Sequence, residues 1–323
     1  LGALDDTELD HQITCWQALG IKVHICHVWE LDNNLKSMKM EERGCIYHKP
    51  RDWVSLKGMP CISYCNKEFL ENIAEIKKYV RCTIWVNCMC WLFDKEKAAH
   101  QSGLIDYFVY QTDHARLKVQ DELIGLNPKY NWAKIVPYFD VSEFPLVINR
   151  PKDKFRFCRV SRNDSAKFNK FQWWIYNTMT APVLKEGIVL GYNEKAKEKI
   201  GSPPNWVKAL PAGAMSVHDV YGVSDCFIMA SDTYENLPRV GFEAMASGCL
   251  LIVDNRGGWA ELVQHKQTGF LCSNEREFVY YATRAAFEPE EREMMCAAAR
   301  SLIEYKWGMT EAIREWGNFL AQL

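Results

Sequence analysis

Ser231-Asp232-Thr233-Tyr234-Glu235-Asn236-Leu237-Pro238-Arg239-Val240-Gly241-Phe242-Glu243-Ala244-Met245-Ala246-Ser247-Gly248 follows one short apolar run, 226–229, and precedes another, 250–253. Two buried runs of strand length joined through a helical stretch predict a parallel β-α-β unit. Loop 231–238 then stands at the carboxyl end of the first strand, where open parallel sheets bind ligands. The helix opening near Arg239 offers amides without intrahelical partners and the positive end of its dipole, which suits a phosphate. Pro238 has no amide, so Leu237, Arg239 and Val240 are the expected donors. Glu235 lies just before this helix and Glu243 inside it. A carboxylate accepts two hydrogen bonds from a vicinal diol, so the pair suits the two ends of a ligand that carries sugar rings. Downstream, Gly257 and Gly258 open a further helix at the mouth of a strand, a place where glycine permits close approach of backbone to a ligand.

Working outward, the alternation of apolar runs and amphipathic stretches continues in both directions. Strands are expected at 155–160, 187–190, 207–210 and 269–272. Helices are expected at 167–178, 216–222, 239–247, 259–265, 275–287 and 289–305, with a last amphipathic helix at 310–323. Proline and charge cluster at 143–154, the best linker. Before it, strands are expected at 22–27, 61–64, 82–86, 107–110 and 134–137, with helices at 5–19, 68–80 and 114–123. No strand precedes the first helix; it is either trimmed from this chain or absent from the domain.

Composition agrees with two globular domains. The 323 residues exceed the ~250–300 at which one core stops growing. Residues 1–144 hold 17 basic and 20 acidic side chains (net −3), leaving 22 and 21 (net +1) of the chain's 39 and 41. Neither half has the basic excess of a nucleic-acid or anionic-membrane binder. No apolar run reaches the ~18 residues of a membrane span. Residues 1–6 carry early acids and no basic region, so no signal peptide is expected, and the chain is read as cytoplasmic. The 13 cysteines, many in apolar runs, read as buried thiols rather than metal ligands.

The segment from Ser231 to Leu271 resembles the donor-binding signature of retaining glycosyltransferases of family 4, which have the glycosyltransferase-B fold. That family carries two glutamates eight apart within S-x-x-E-G-x-P/G-x-x-x-x-E-A-M-A-x-G, then a strand, G-G-x-x-E and T-G-x-L. Glu235 and Glu243, then Gly257, Gly258 and Glu261, and Thr268-Gly269-Phe270-Leu271 match in order. Upstream, Ser161-Arg162 and Lys167 resemble the family's G-R-x-x-x-x-K, with serine in place of glycine. Residues 135–144 resemble the family's V-I-P-N-G-V-D-x-x-x-F.

The resemblance implies an α/β architecture of two Rossmann-like domains facing a cleft, the first abbreviated. Expected boundaries are 1–147 for the acceptor-side domain, 148–306 for the nucleotide-sugar domain, and 307–323 for a helix crossing back. The implied reaction moves a sugar, hexose or pentose, from a UDP- or GDP-linked donor to an acceptor hydroxyl with retention, without metal or cofactor. Glu235, Arg162 and Lys167 carry the chemistry. Glu243, Asn236, Leu237, Arg239, Val240, Ser161 and Leu210 hold the donor. Two cations at a strand end can neutralise a leaving diphosphate. On the sugar and acceptor side Gly2, Asn87 and His114 are the candidates. Asn87 stands where the family commonly has a histidine for the sugar's 6-hydroxyl, which points to a pentose. The acceptor is open among a glycan, a lipid-linked sugar, a small metabolite and a modified base, and oligomeric state is open too. Rival readings are a nucleotide-sugar epimerase or hydrolase on the same fold, and a non-catalytic nucleotide-sugar-binding module.

Overall fold

The structure is a computed structural model in which residues 7–28 and 41–323 are described. The chain divides into two compact units. One runs as far as Phe139 and takes in Trp307–Leu323; the other is Asp140–Lys306. The first boundary therefore falls at 139 rather than 147. Residues 140–150 side with the second unit because their backbone is bonded there: Arg300 donates to Phe144 O at 2.8 Å, and Val147 N donates to Ser247 O at 3.2 Å. Arg150 reaches Gly248 O and Ser247 O at 2.9 and 2.7 Å.

The first unit contains α1 (Thr7–Ala18), β1 (His24–Cys26), β2 (Ile46–His48), β3 (Pro60–Tyr64), α2 (Lys67–Ile76), β4 (Cys82–Asn87), α3 (Asp94–Gln101), β5 (Tyr107–Tyr110), α4 (Asp113–Leu126) and β6 (Trp132–Lys134). β1 pairs with β2, and β3-β4-β5-β6 form a separate sheet, all parallel. β4 is buried at every residue, as a strand covered on both faces must be. α2 begins where Asn66 accepts from Phe69 N at 2.8 Å, and it buries Phe69, Leu70, Ile73 and Ile76 along one stripe. The strand expected at 134–137 is displaced: its ladder with β5 ends at Lys134, and Ile135 N adds one last bond to Tyr110 O at 2.9 Å. The final helix, α12 (Met309–Leu320), packs on α1 through an edge-to-face contact of Trp16 and Trp316 with centroids 5.2 Å apart. Trp316 also donates to Gln12 at 3.1 Å, and Gln12 to Tyr138 O at 3.2 Å.

Within this unit Glu96 is fully buried, and burial pushes its carboxyl up to about 7. A raised carboxyl means that the folded chain holds a proton the unfolded chain has released. Its contribution is complete below the usual glutamate range and is lost as pH rises through about 7. Wild-type stability, measured by denaturant midpoints at pH 5 and pH 8, is expected to fall across that interval by on the order of 3 kcal/mol more than that of Glu96→Gln. Equal slopes for the two proteins would exclude this origin.

The second unit contains β7 (Lys154–Val160), α5 (Gln172–Thr178), β8 (Leu184–Leu190), α6 (Glu194–Ile200), β9 (Val207–Leu210), α7 (Val217–Val223), β10 (Cys226–Met229), α8 (Arg239–Ala246), β11 (Leu250–Asp254), α9 (Trp259–Leu262), β12 (Gly269–Cys272), α10 (Glu275–Phe287) and α11 (Pro289–Lys306). Its six parallel strands lie in the order β12-β11-β10-β7-β8-β9. In chain order this is the doubly wound arrangement that reverses between the unit's first and fourth strands, β7 and β10. The helix expected at 167–178 is split. Asp164 accepts from Ala166 N, Asn169 accepts from Phe171 N, and the helix proper starts only at Gln172. Charged α6 went unpredicted because only Ala196 of it is buried.

Every cysteine is a free thiol. Burial pushes Cys15, Cys61 and Cys296 up to about 12, as expected of packing residues. Among the described residues no helix is long and apolar enough to cross a membrane, and no group of three His, Cys, Asp or Glu side chains could hold a metal ion.

Candidate active site at the switch point of the second sheet

β7 and β10 are neighbours, with Cys226 opposite Phe157 and Phe227 opposite Cys158. Their carboxyl ends therefore deliver loops 161–171 and 230–238 side by side. Lys167, on the short turn Ser165–Lys167, meets Glu235 at 2.5 Å, both side chains only about 15 % exposed (15 and 14 %). The two loops are tied again by Asn169 donating to Asp232 at 2.7 Å, and Lys199 of α6 bridges them, pairing with Asp232 at 2.8 Å and donating to Ser165 O at 3.1 Å. Residues 68 positions apart in sequence thus form one cation–carboxylate pair. Arg162 stands exposed on the same loop. The first turn of α8 lies directly after Pro238.

Two buried groups shape these loops, and sequence reading passed over both. Arg159, fully buried in β7, donates to Ser161 Oγ at 2.9 Å and to Lys167 O at 2.5 Å. Its guanidinium lies 3.6 Å over the Phe168 ring. Burial lowers it to about 10, which leaves it charged at neutral pH. The available signal was an arginine inside an apolar run, since arginine is seldom buried unless it is paired. Asp254, at the end of β11, accepts from Ser231 N at 2.8 Å, and burial pushes its carboxyl up to about 6. Arg256 donates to Ser231 O and lies 5.2 Å from the Tyr234 ring.

Glu243 is on α8, where burial raises its carboxyl above the usual range and Tyr221 donates to it at 3.0 Å. Asn236 is buried; Leu237, Arg239 and Val240 are half-buried, and the Val240 carbonyl accepts from Tyr221 at 3.3 Å. Leu210 ends β9, and its carbonyl accepts from Gly191 N and Tyr192 N, both at 2.9 Å.

Serine is tolerated at 161 because the close approach is made from the other side. Gly191 has φ +95°, and a Cβ there would sit 2.4 Å from Ser161 O. The paired glycines need correction. A Cβ on Gly257 would meet Glu235 O at 2.6 Å, and one on Gly258 would meet Asn236 O at 1.6 Å. Gly258 N also donates to Glu235 O at 2.8 Å. These glycines admit a loop of the protein itself; the backbone they approach is 235–237.

The first-unit candidates fare differently. Asn87 is fully buried, donating to Glu96 at 3.1 Å and accepting from Met89 N at 2.7 Å. It braces the loop after β4 through Glu96 and Met89. His114 is half-buried at the start of α4. Gly2 lies outside the described residues. Trp16 and Trp85 are core residues, Trp53 is half-buried and Trp91 is half exposed.

Similarity to known proteins bears on the same region. Residues 190–302 match the family of glycosyl transferases group 1. The YtcC protein of Bacillus subtilis (strain 168) is 32% identical over 112 residues, 34% of this chain and 27% of that protein. Spore coat protein SA of the same organism is 33% identical over 92 residues, 28% of this chain and 24% of its own length. The matches thus span about a quarter of these relatives. Among solved structures, a glycosyltransferase from Rickettsia africae ESF-5 superposes with a TM-score of 0.74 at 13% identity, covering 99% of this chain and 95% of that one. Anabaena HepE, solved in complex with UDP-glucose, does so at 0.70 and 13%, covering 98% and 96%. The chain has the glycosyltransferase-B fold. This correspondence over nearly the whole length covers both Rossmann-like units, whereas the sequence match is confined to the second.

Proposed function

We propose that this protein transfers a sugar from a nucleotide-diphosphate donor to an acceptor hydroxyl, retaining the anomeric configuration and needing no metal or cofactor. The observation that carries the proposal is the Lys167–Glu235 pair at the switch point, beside the first turn of α8. A diphosphate arriving there exchanges with the carboxylate for Lys167, and Glu235 is released to the sugar hydroxyls. Arg162, Lys167 and the amides of Leu237, Arg239 and Val240 stabilise charge as the bond to the diphosphate loosens. Glu243, held by Tyr221, takes the ribose hydroxyls. Ser161, Asn236 and Leu210 line the donor side. UDP is favoured over GDP because HepE was solved with UDP-glucose.

Calorimetric titration with UDP, GDP and ADP in the presence of a chelator tests the site, and NMR of the product anomer tests retention. Binding of UDP, followed by α-product from an α-linked donor and an acceptor panel, is expected. An epimer or free sugar without acceptor would make the protein an epimerase or hydrolase. Binding without turnover would make it a non-catalytic module. Failure of UDP, GDP and ADP alike to bind would remove the whole reading.

A further inference from the structure

Eight of the 13 cysteines are buried; the five that are partly exposed are Cys26, Cys61, Cys65, Cys88 and Cys90. Burial pushes the Cys26 thiol up, and that of Cys61 up to about 12, which suits packing. The other three stand in two neighbouring loops. β3 and β4 run parallel with Tyr64 opposite Val86, and Cys65 N continues the ladder by donating to Val86 O at 3.1 Å. Cys65 therefore follows β3 at its carboxyl end, and Cys88 and Cys90 follow β4 at the same end. Cys65 and Cys88 are set against each other from both sides. Cys88 N donates to Cys65 Sγ at 2.9 Å, and the Cys88 thiol lies 3.7 Å from Val86 O, the oxygen that also receives Cys65 N. With strands ~4.8 Å apart and a rise of ~3.3 Å per residue, the two Cα atoms lie about 6 Å apart, within the span of a disulfide. Cys65 is held at φ +42°, a conformation that favours glycine. Asn66 follows at once as the cap of α2, so the chain turns sharply here from strand to helix. Backbone kept in that region collects at sites that bind, react or switch.

We infer that Cys65 and Cys88 form a redox-modification site, at which a small disulfide of the glutathione type converts the pair to an internal disulfide. The Cys65 thiolate attacks one sulfur of the oxidant, forming a mixed disulfide and expelling a thiolate that takes up the proton Cys65 has given. Cys88 then attacks Cys65 Sγ, gives up its own proton and expels the second small thiol. Two protein thiols are oxidised, one small disulfide is reduced to two thiols, and the balance closes without a further reactant. The main chain is already arranged for both steps. The Cys88 amide points at the sulfur that attacks first, and at this Cα separation rotation of the two side chains brings the second sulfur to it. The bridge ties the loop that opens α2 to the loop that leaves β4, at the edge where open parallel sheets bind ligands. Loop 88–93 is anchored at Met89 by Asn87 and at Phe93 by Glu96, at 2.7 and 3.2 Å, and the bridge fixes it to the end of β3 as well. A pair that closes and reopens by exchange reports the thiol–disulfide balance around the chain. This site is independent of the sugar transfer proposed above.

Incubation of the folded, reduced 323-residue chain with oxidised glutathione, followed by acid quenching and peptide mapping by mass spectrometry, tests this. A cross-linked peptide pair joining Cys65 to Cys88, reopened by dithiothreitol, is expected. Cys88→Ser is expected to stall with glutathione retained on Cys65. Cys65→Ser is expected to slow modification of the loop cysteines at least about tenfold, since the first attacking sulfur is gone. Cys90→Ser is expected to leave the Cys65–Cys88 link in place. The wild-type map stands without the variants, so a variant that fails to fold does not remove the test. Absence of any link under oxidised glutathione overturns the proposal. So does a link from Cys65 to Cys90, and so does a Cys65–Cys88 bridge that dithiothreitol cannot reopen in the folded chain.

Discussion

Lys167→Ala is expected to lower sugar transfer by roughly 10²–10³, the 2–4 kcal/mol that a preorganised charge contact contributes at the transition state. The side chain is 15 % exposed and sits 2.5 Å from Glu235, so it is already aimed where the leaving diphosphate would arrive. Arg162→Ala is expected to act in the same direction. Because Arg162 is exposed, its loss should leave thermal stability unchanged. Turnover and thermal denaturation measured on the same preparations check both. Near-normal transfer by the two variants would show that neither cation serves the diphosphate.

Gly258→Ala is expected to destabilise the second unit by about 3 kcal/mol or more and to abolish nucleotide binding. An added Cβ would lie 1.6 Å from Asn236 O and 2.5 Å from Asn236 C, and backbone cannot rotate away as a side-chain tip can. Relief requires loop 235–237 to move, taking Glu235 away from Lys167. The same substitution at Gly222, where nothing lies within 4 Å, is expected to be neutral or mildly stabilising, since alanine is the better helix former. Denaturant midpoints and UDP titrations on the two variants read the contrast. A stable, nucleotide-binding Gly258→Ala protein would contradict the packing described.

Much of the second unit was legible because its signals are local. Continuous apolar runs such as 226–229 and 250–253 read as buried parallel strands, and strands Cys226–Met229 and Leu250–Asp254 lie there. The first unit was harder to read. β2 pairs at three residues only and carries a mixed burial pattern, so no periodicity announces it. α3, with its sequence Asp-Lys-Glu-Lys-Ala-Ala-His-Gln, buries Glu96 and His100 in place of an apolar stripe.

The sequence by itself determined the alternation of strands and helices and the loops at strand ends, because each depends on residues close together in the chain. Only the tertiary structure decided that Lys167 meets Glu235, that Arg159 ties the Lys167 turn from beneath, that Gly257 and Gly258 admit a loop, and that Asn87 is committed to Glu96. The physical reason is that burial and close approach depend on which distant segments the sheet order makes neighbours. The spacing of residues along a single chain carries no record of that.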